Sequence, residues 1–182
     1  LPETTPEIPG FEIAALTIPA MEIGGDLYDF IPLEKNRWGF VIADVSGKGA
    51  SAALYMALCR THIHACGEDN ADPAEAIRQA NRLIYADGRS SMFITVFYAV
   101  LDPREMTFSS VNAGHNPPIL IRGEPPVAQV VEGKGIALGV IEEIQTNTLT
   151  LSLHHGDIIV LYTDGITEAF NERDEYYGEE RM

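Results

Sequence analysis

Short, mostly apolar stretches separated by turn residues recur along most of the chain, and two longer stretches between them have helical character. The short stretches predict strands, because apolar runs bounded by turn residues are typical of buried β-structure, as in 38–45, which ends close to an aspartate. Pairs such as Asp102-Pro103 and the Asn116-Pro117-Pro118 sequence mark the turns. The predicted strands cover 11–33, in two parts broken at Gly24-Gly25, and then 38–45, 93–101, 106–111, 119–121, 127–131, 148–153 and 157–162.

The two helical stretches lie next to each other in the sequence. Residues 50–66 are rich in Ala, Leu and Met and predict a mostly buried helix. Asp72-Pro73 has the form of an N-cap followed by proline at the first helical position, and predicts a second helix over 74–85. Because long crossover helices between the strands are mostly missing, we expect an α+β fold with largely antiparallel strands.

Composition and charge exclude several functional classes. A length of 182 residues with 46% hydrophobic residues fits one globular domain. The net charge of −15 argues against nucleic-acid binding, which needs clustered cations. No apolar run reaches 18 residues and no export leader is present, so we expect a cytoplasmic protein without membrane insertion. Cys59 and Cys66 lie seven apart in the first helix, which favours two buried thiols over a disulfide or a zinc site.

The two ends of the chain suggest a piece of something longer. Residues 1–10 contain three prolines and no apolar periodicity, so we expect a linker from an upstream segment, plausibly a sensor domain. The chain starts at Leu1 rather than at a methionine and stops at Met182, shortly after an acidic run.

Three aspartates occupy similar places, each at a strand end or turn close to glycine: Asp26, Asp44 and Asp164. Carboxylates at strand ends can converge, and Mg²⁺ or Mn²⁺ prefer such oxygen ligands. Each aspartate taken singly is equally consistent with ordinary turn chemistry. Spacing alone therefore leaves a metal site and three turn residues as open alternatives.

Four motifs resemble the successive signatures of the bacterial PPM-type phosphatases, in the branch of the sporulation phosphatase SpoIIE and the sigma-factor regulator RsbU. The resemblance spans nearly the whole chain, and four motifs in the right order are far more specific than one. The motifs are Pro19-Ala-Met-Glu-Ile-Gly-Gly-Asp-Leu-Tyr-Asp-Phe30, Asp44-Val-Ser-Gly-Lys-Gly49, Asn112-Ala-Gly-His-Asn-Pro-Pro118 and Tyr162-Thr-Asp-Gly-Ile-Thr-Glu-Ala169.

The resemblance implies a sandwich of two antiparallel sheets flanked by helices, with a two-metal site at one end. Residues 11–182 would then form a phosphatase catalytic domain, truncated at its C-terminal end. Asp44 matches the aspartate that bridges both metals, the Val45 carbonyl a further ligand, and Asp26 and Asp164 ligands on either side. The family pattern has one more aspartate late in the domain, which this sequence does not reach, so we expect one metal to be under-coordinated.

The resemblance also implies a protein serine/threonine phosphatase that uses two divalent cations, Mn²⁺ or Mg²⁺, and direct attack of water. The implied substrate is a phosphorylated partner, a STAS-type anti-sigma-factor antagonist, and a homodimer is possible. Lys48 and His115 are candidates for contacting the substrate phosphate, although a solvated lysine and a turn-stabilising histidine fit equally well. Asp29, Thr95 and Asn112 receive only supporting roles.

Two other functions stay open at this point. The first is a regulatory or interaction module of the same fold whose catalytic centre is incomplete. The second is a nucleotide cyclase, because Gly24-Gly25-Asp26 is similar to the start of the Gly-Gly-Asp-Glu-Phe signature. Leu27-Tyr28 replaces Glu-Phe, and the other three motifs have no place in a cyclase.

Overall fold

Eight strands and three α-helices make up the part of the chain that the computed structural model describes, residues 1–18, 24–87 and 92–182. The strands form a five-stranded sheet in the order β1-β2-β3-β4-β7 and a three-stranded sheet in the order β6-β5-β8. The elements are β1 Asp26–Leu33, β2 Arg37–Val45, α1 Ala50–Asp69, α2 Pro73–Asp87, β3 Ile94–Asp102, β4 Thr107–Ala113, β5 Ile119–Arg122, β6 Val127–Val130, β7 Leu149–Ser152, β8 Ile158–Val160 and α3 Asp164–Thr167.

All pairs of neighbouring strands in the two sheets are antiparallel, which confirms the predicted α+β class with two antiparallel sheets. The central strand β3 shows how the layers arise, because successive side chains of a strand point to opposite faces. Val96 and Tyr98 belong to the cluster that packs under α1 and α2, whereas Phe97 and Ala99 belong to the cluster on the opposite face, where Ile159 of β8 packs. The five-stranded sheet therefore lies between the helices and the smaller sheet.

The strand predicted from residue 11 onward is wrong for the described residues 11–18, where only an isolated bridge between Ile8 and Phe11 forms. Phe11 and Ile13 instead pack against the apolar cluster on the face of the smaller sheet. Their alternation reflects burial of one side of an extended segment without a partner strand. Residues 19–23, which carry the rest of that prediction, lie outside the described residues.

The segment predicted to be a linker contacts the sheets. Ile8 is buried, and the Tyr28 hydroxyl donates a hydrogen bond to the Pro2 carbonyl at 3.2 Å. The linker role of residues 1–10 stays a prediction.

Both predicted helices are confirmed. The first continues to Asp69, and the second begins at Pro73 with the Asp72 carboxylate accepting a hydrogen bond from the Ala74 amide at 3.3 Å. Cys59 and Cys66 are buried free thiols, as predicted. In the described ranges, no helix combines the length and the apolar character needed to cross a bilayer.

Candidate metal centre

Three aspartates meet at one end of the five-stranded sheet. Asp26 begins β1 and lies opposite Asp44, near the end of β2, in the antiparallel register. Asp164 begins the short helix α3, which follows β8 in the sequence. One carboxylate oxygen from each of the three residues lies within 4.8 Å of the other two. The structure thus brings together the three residues that the sequence singled out, although they are far apart along the chain.

Close approach of the backbone at Gly25 brings β1 up to the end of β2. The Val45 amide donates to the Gly25 carbonyl at 3.3 Å. A Cβ atom at residue 25 would lie 3.1 Å from Asp44 Oδ1 and 3.1 Å from the Val45 carbonyl oxygen, which is tighter than ordinary van der Waals contact. Any side chain at this position would crowd the two oxygens, and glycine leaves them room to lie side by side. The Val45 carbonyl, predicted as a ligand, lies beside the Asp44 carboxylate.

A threonine links the third aspartate to the first. Thr163 precedes α3 in an extended conformation, and its hydroxyl donates to Asp26 Oδ2 at 3.0 Å. The bond fixes the Asp26 carboxylate and holds the start of α3 against β1. Sequence reasoning gave Thr163 no role. The available signal was a threonine in the N-cap position immediately before Asp164.

The three carboxylates lie close together, and the described part of the chain provides no cation that pairs with them. Among the described residues, no lysine, arginine or histidine forms an ion pair with Asp26, Asp44 or Asp164. Burial, the neighbouring charge and hydrogen bond of Asp26, and the charge of Asp164 raise the pKa of Asp44 to about 7 from 3.8. Clustered oxygen donors that repel one another fit a hard divalent cation, which would relieve that repulsion.

A second set of polar residues is hydrogen-bonded to the backbone of Asp44. The Thr95 hydroxyl contacts His115 Nδ1 at 2.9 Å and donates to the Asp44 carbonyl oxygen at 3.3 Å. The Asn112 side chain bonds both the amide and the carbonyl of His115. These hydrogen bonds thus connect β3 and the turn after β4 to Asp44, through Thr95, Asn112 and His115.

The two candidates for phosphate contact differ in position. Lys48 is exposed in the turn between β2 and α1 and forms no ion pair within the described part of the chain. Its assignment stays a prediction. His115 is only 6% exposed, and burial lowers its pKa to about 4. A buried, neutral imidazole is poorly suited to meet a substrate phosphate or to supply a proton at neutral pH, so the position of His115 disfavours that prediction.

Comparisons with known proteins identify the family of this chain. The model of the family described as stage II sporulation protein E (SpoIIE) matches residues 34–182. The phosphoserine phosphatase RsbU of Bacillus subtilis (strain 168) is 32% identical over 167 residues, which cover 92% of this chain and 50% of RsbU. Protein IcfG of Synechocystis sp. is 27% identical, over 100% of this chain and 33% of IcfG. The chain thus spans at most about half the length of these curated relatives.

Solved structures share the fold. The RsbU and RsbW domains of Rv1364c from Mycobacterium tuberculosis give a TM-score of 0.71 at 29% identity, covering 85% of this chain and 43% of that one. The SiaA-PP2C domain of Pseudomonas aeruginosa gives a TM-score of 0.73 at 21% identity, over 87% of this chain and 63% of that domain, a likeness of fold alone. The family match leaves no support for the nucleotide cyclase. The chain belongs to the SpoIIE family, in the branch of the PPM-type phosphatases that includes RsbU.

Proposed function

We propose that this chain is the catalytic domain of a metal-dependent protein serine/threonine phosphatase, acting on phosphoserine or phosphothreonine of a regulatory partner protein. The observation that carries the proposal is the convergence of three carboxylates within 4.8 Å, without a protein cation among the described residues to balance them. Family membership supports it, since PPM-type phosphatases depend on divalent metal ions. RsbU, which matches 92% of this chain over 50% of its own length, is named a phosphoserine phosphatase.

The residues that would hold the metal are Asp26, Asp44 and Asp164, with the Val45 carbonyl. Asp44 is suited to a bridging position because the charges of both other aspartates act on its carboxylate. Two divalent cations, Mn²⁺ or Mg²⁺, would supply Lewis acidity and a nucleophile at neutral pH for in-line displacement at phosphorus. The chain itself contributes the fixed carboxylates, the Thr163 bond that orients Asp26, and an exposed turn at Lys48 through which substrate can approach.

A covalent phosphoenzyme on cysteine is not part of the proposal. Cys59 and Cys66 are buried, and burial raises the pKa of Cys59 to about 12 and that of Cys66 to about 11. Both thiols therefore stay protonated at neutral pH, and a thiol is a much weaker nucleophile than a thiolate. Direct hydrolysis by water is the mechanism that fits the residues present.

The partner that we propose is a phosphorylated regulator of the sigma-factor pathway, specifically a STAS-type anti-sigma-factor antagonist. The naming of RsbU and RsbP among the relatives as phosphoserine phosphatases supports a regulatory substrate. The proposal extends to an upstream sensor joined through residues 1–10, a homodimer and a cytoplasmic location. With a net charge of −15, this chain should recognise neutral or basic surface on its partner.

The test is phosphate release from a phosphoserine peptide and a phosphothreonine peptide, with Mn²⁺, Mg²⁺ or EDTA. We expect turnover with metal, none with EDTA, and a loss of more than about 100-fold in kcat/KM for Asp44→Asn, because removal of partners even outside the ligand shell costs 10–100-fold. Asp69→Asn is the matched control, since Asp69 is exposed at the far end of α1. Tight metal binding without turnover would favour the regulatory module instead.

A further inference from the structure

His115 is held in the interior by contacts that do not involve its ring. The Asn112 side chain donates to the His115 carbonyl at 2.9 Å and accepts from the His115 amide at 2.8 Å. Only 6% of the residue is exposed. Because both backbone groups are fixed, a substitution of the His115 side chain leaves the local chain path in place, and the function of the imidazole can be examined separately.

The imidazole and Thr95 form a chain of hydrogen bonds that ends on the backbone of a proposed ligand. Thr95 lies opposite Asp44 in the register of β2 and β3. Its hydroxyl donates to the Asp44 carbonyl oxygen at 3.3 Å and contacts His115 Nδ1 at 2.9 Å. A hydroxyl has one hydrogen, and because Thr95 places it on the Asp44 carbonyl, Nδ1 is the donor in the second contact. Donor counting therefore assigns the Nδ1–H tautomer to His115.

The second ring nitrogen is consequently a bare acceptor. Nε2 is buried and forms no hydrogen bond with any residue in the described ranges. Burial lowers the pKa of His115 and keeps the ring neutral, against the smaller opposing effects of the Tyr162 backbone and of the Asp26 charge. A neutral ring whose one N–H is directed at Thr95 can fix the direction of the Thr95 hydroxyl.

We propose that His115 is a positioning residue of the candidate metal centre, acting through the Thr95 hydroxyl on the peptide group that joins Asp44 to Val45. That peptide group connects two proposed ligands, the Asp44 carboxylate and the Val45 carbonyl. A hydrogen bond to the Asp44 carbonyl fixes the orientation of the peptide plane and hence the direction of both ligands. The inference rests on the proposed function, since it assigns a role within the same centre.

The experiment compares Mn²⁺ dissociation constants of matched variants. His115→Asn retains an amide donor near the position of Nδ1, whereas His115→Gln places its amide near Nε2. Thr95→Ser keeps the hydroxyl and Thr95→Val removes it. We expect Thr95→Val and His115→Gln to weaken Mn²⁺ binding by about 10–100-fold, as is typical for partners that orient ligands. We expect His115→Asn and Thr95→Ser to stay within about threefold of the wild type.

Two features make the result specific to positioning. The double variant Thr95→Val/His115→Gln should bind Mn²⁺ about as weakly as either single variant, because both changes break one chain of bonds. His62→Gln is the control, since His62 lies on α1 and bonds the exposed Asp87 carboxylate at 2.8 Å. Equal Mn²⁺ affinity in the wild type and His115→Gln would overturn the inference while leaving the metal centre intact.

A measurement on the unaltered protein keeps the inference independent of how the variants fold. Long-range ¹H–¹⁵N NMR of the metal-free wild type reports which nitrogen of His115 carries the proton. We expect the Nδ1–H tautomer, and an Nε2–H signal would overturn the inference whatever the affinities are. If the wild type binds no Mn²⁺, the proposed function fails as well, which distinguishes that failure from a failure of the positioning role alone.

Discussion

Two aspartates of β1, Asp26 and Asp29, lie three residues apart and differ in their surroundings. Asp29 of β1 is almost fully buried under α1, where Arg60 Nη2 contacts it at 2.9 Å and His64 Nδ1 contacts it at 2.8 Å. Asp26 is partly exposed, lies with Asp44 and Asp164, and has no cationic partner among the described residues. Asp29 is paired with cations of the chain, whereas none of the described residues supplies a cation to the cluster that contains Asp26.

The difference separates a structural carboxylate from a candidate ligand. Burying a charge is costly unless it is paired and hydrogen-bonded, and Asp29 meets both conditions by joining β1 to α1. In the aspartate cluster, no cation of the described residues relieves the repulsion, and a cation from solution would relieve it. Acidic residues in this protein are therefore best sorted by their partners rather than by their number.

The largest expected effect concerns stabilisation by metal. Mn²⁺ at about 100 times its dissociation constant should raise the free energy of unfolding by about 2.7 kcal/mol. Asp26→Asn should lose this increment, whereas Asp29→Asn should keep it on a lower baseline, because only Asp26 belongs to the cluster. Thermal or urea unfolding with Mn²⁺ and with EDTA measures both. If both variants lost the Mn²⁺ increment equally, the distinction between Asp26 and Asp29 would be contradicted.

Removing a partner of Asp29 should give the next largest effect. Arg60→Met leaves the buried carboxylate with His64 alone, and we expect a loss of about 2 kcal/mol in the free energy of unfolding. Arg82→Met is the matched control, because Arg82 pairs with Glu143 at 3.4 Å on the surface and should lose less than about 0.5 kcal/mol. Similar losses in urea unfolding of the two variants would show that Asp29 is not a structural centre.

In the aspartate cluster we expect a smaller effect of opposite sign, in which a substitution raises the free energy of unfolding. The pKa of Asp44 is raised to about 7 in the folded protein, so between about pH 4 and 7 the folded state holds more protons than the unfolded state. Stability of the metal-free protein should therefore fall as pH rises through this window. Asp44→Asn removes that loss and should be about 1 kcal/mol more stable than the wild type at pH 8, a value reduced by solvent screening.

The stability difference between Asp44→Asn and the wild type should vanish below about pH 4, where Asp44 is protonated in both states. Urea unfolding in EDTA at several pH values measures it. A difference that is independent of pH would mean that the change acts through packing and that repulsion is not the cause.

The smallest expected effect concerns Lys48, the exposed cation that follows the cluster in the sequence. If it contacts the substrate phosphate, Lys48→Ala should lower kcat/KM by about threefold and leave metal affinity unchanged, as expected for a screened surface contact. Lys35→Ala is the control, because Lys35 lies between β1 and β2 at the opposite end of β2. An unchanged kcat/KM would remove Lys48 from the site.

Residues at strand ends could be predicted from the sequence, and residues that act across the fold could not. Asp26 and Asp44 were identifiable because each lies close to glycine at the end of a strand, so local pattern and site coincide. Phe11 and Ile13 alternate in the same way without pairing in a sheet, since burial alone produces that pattern. Strand pairing depends on a distant partner, which local periodicity does not reveal.

The sequence around Asp29 contains a signal that this carboxylate is buried and paired. Leu27, Asp29 and Ile31 share one face of β1, which places a charge on an apolar face, and Arg60 and His64 lie four apart on one face of α1. The contact between the strand and the helix could not be predicted from these patterns, because it depends on how the helix packs on the sheet. The same holds for Thr95 and His115, whose common function emerges only when β3 and the turn after β4 are placed side by side.

The most direct test of the central claim is Mn²⁺ binding followed by electron paramagnetic resonance in the wild type, Asp44→Asn and Asp69→Asn. The claim is that the three convergent aspartates form a cation site, whereas other acidic residues of this highly charged chain do not. We expect the wild type and Asp69→Asn to bind Mn²⁺ alike and Asp44→Asn to lose binding by more than about 100-fold. Equal binding by all three proteins would contradict the claim.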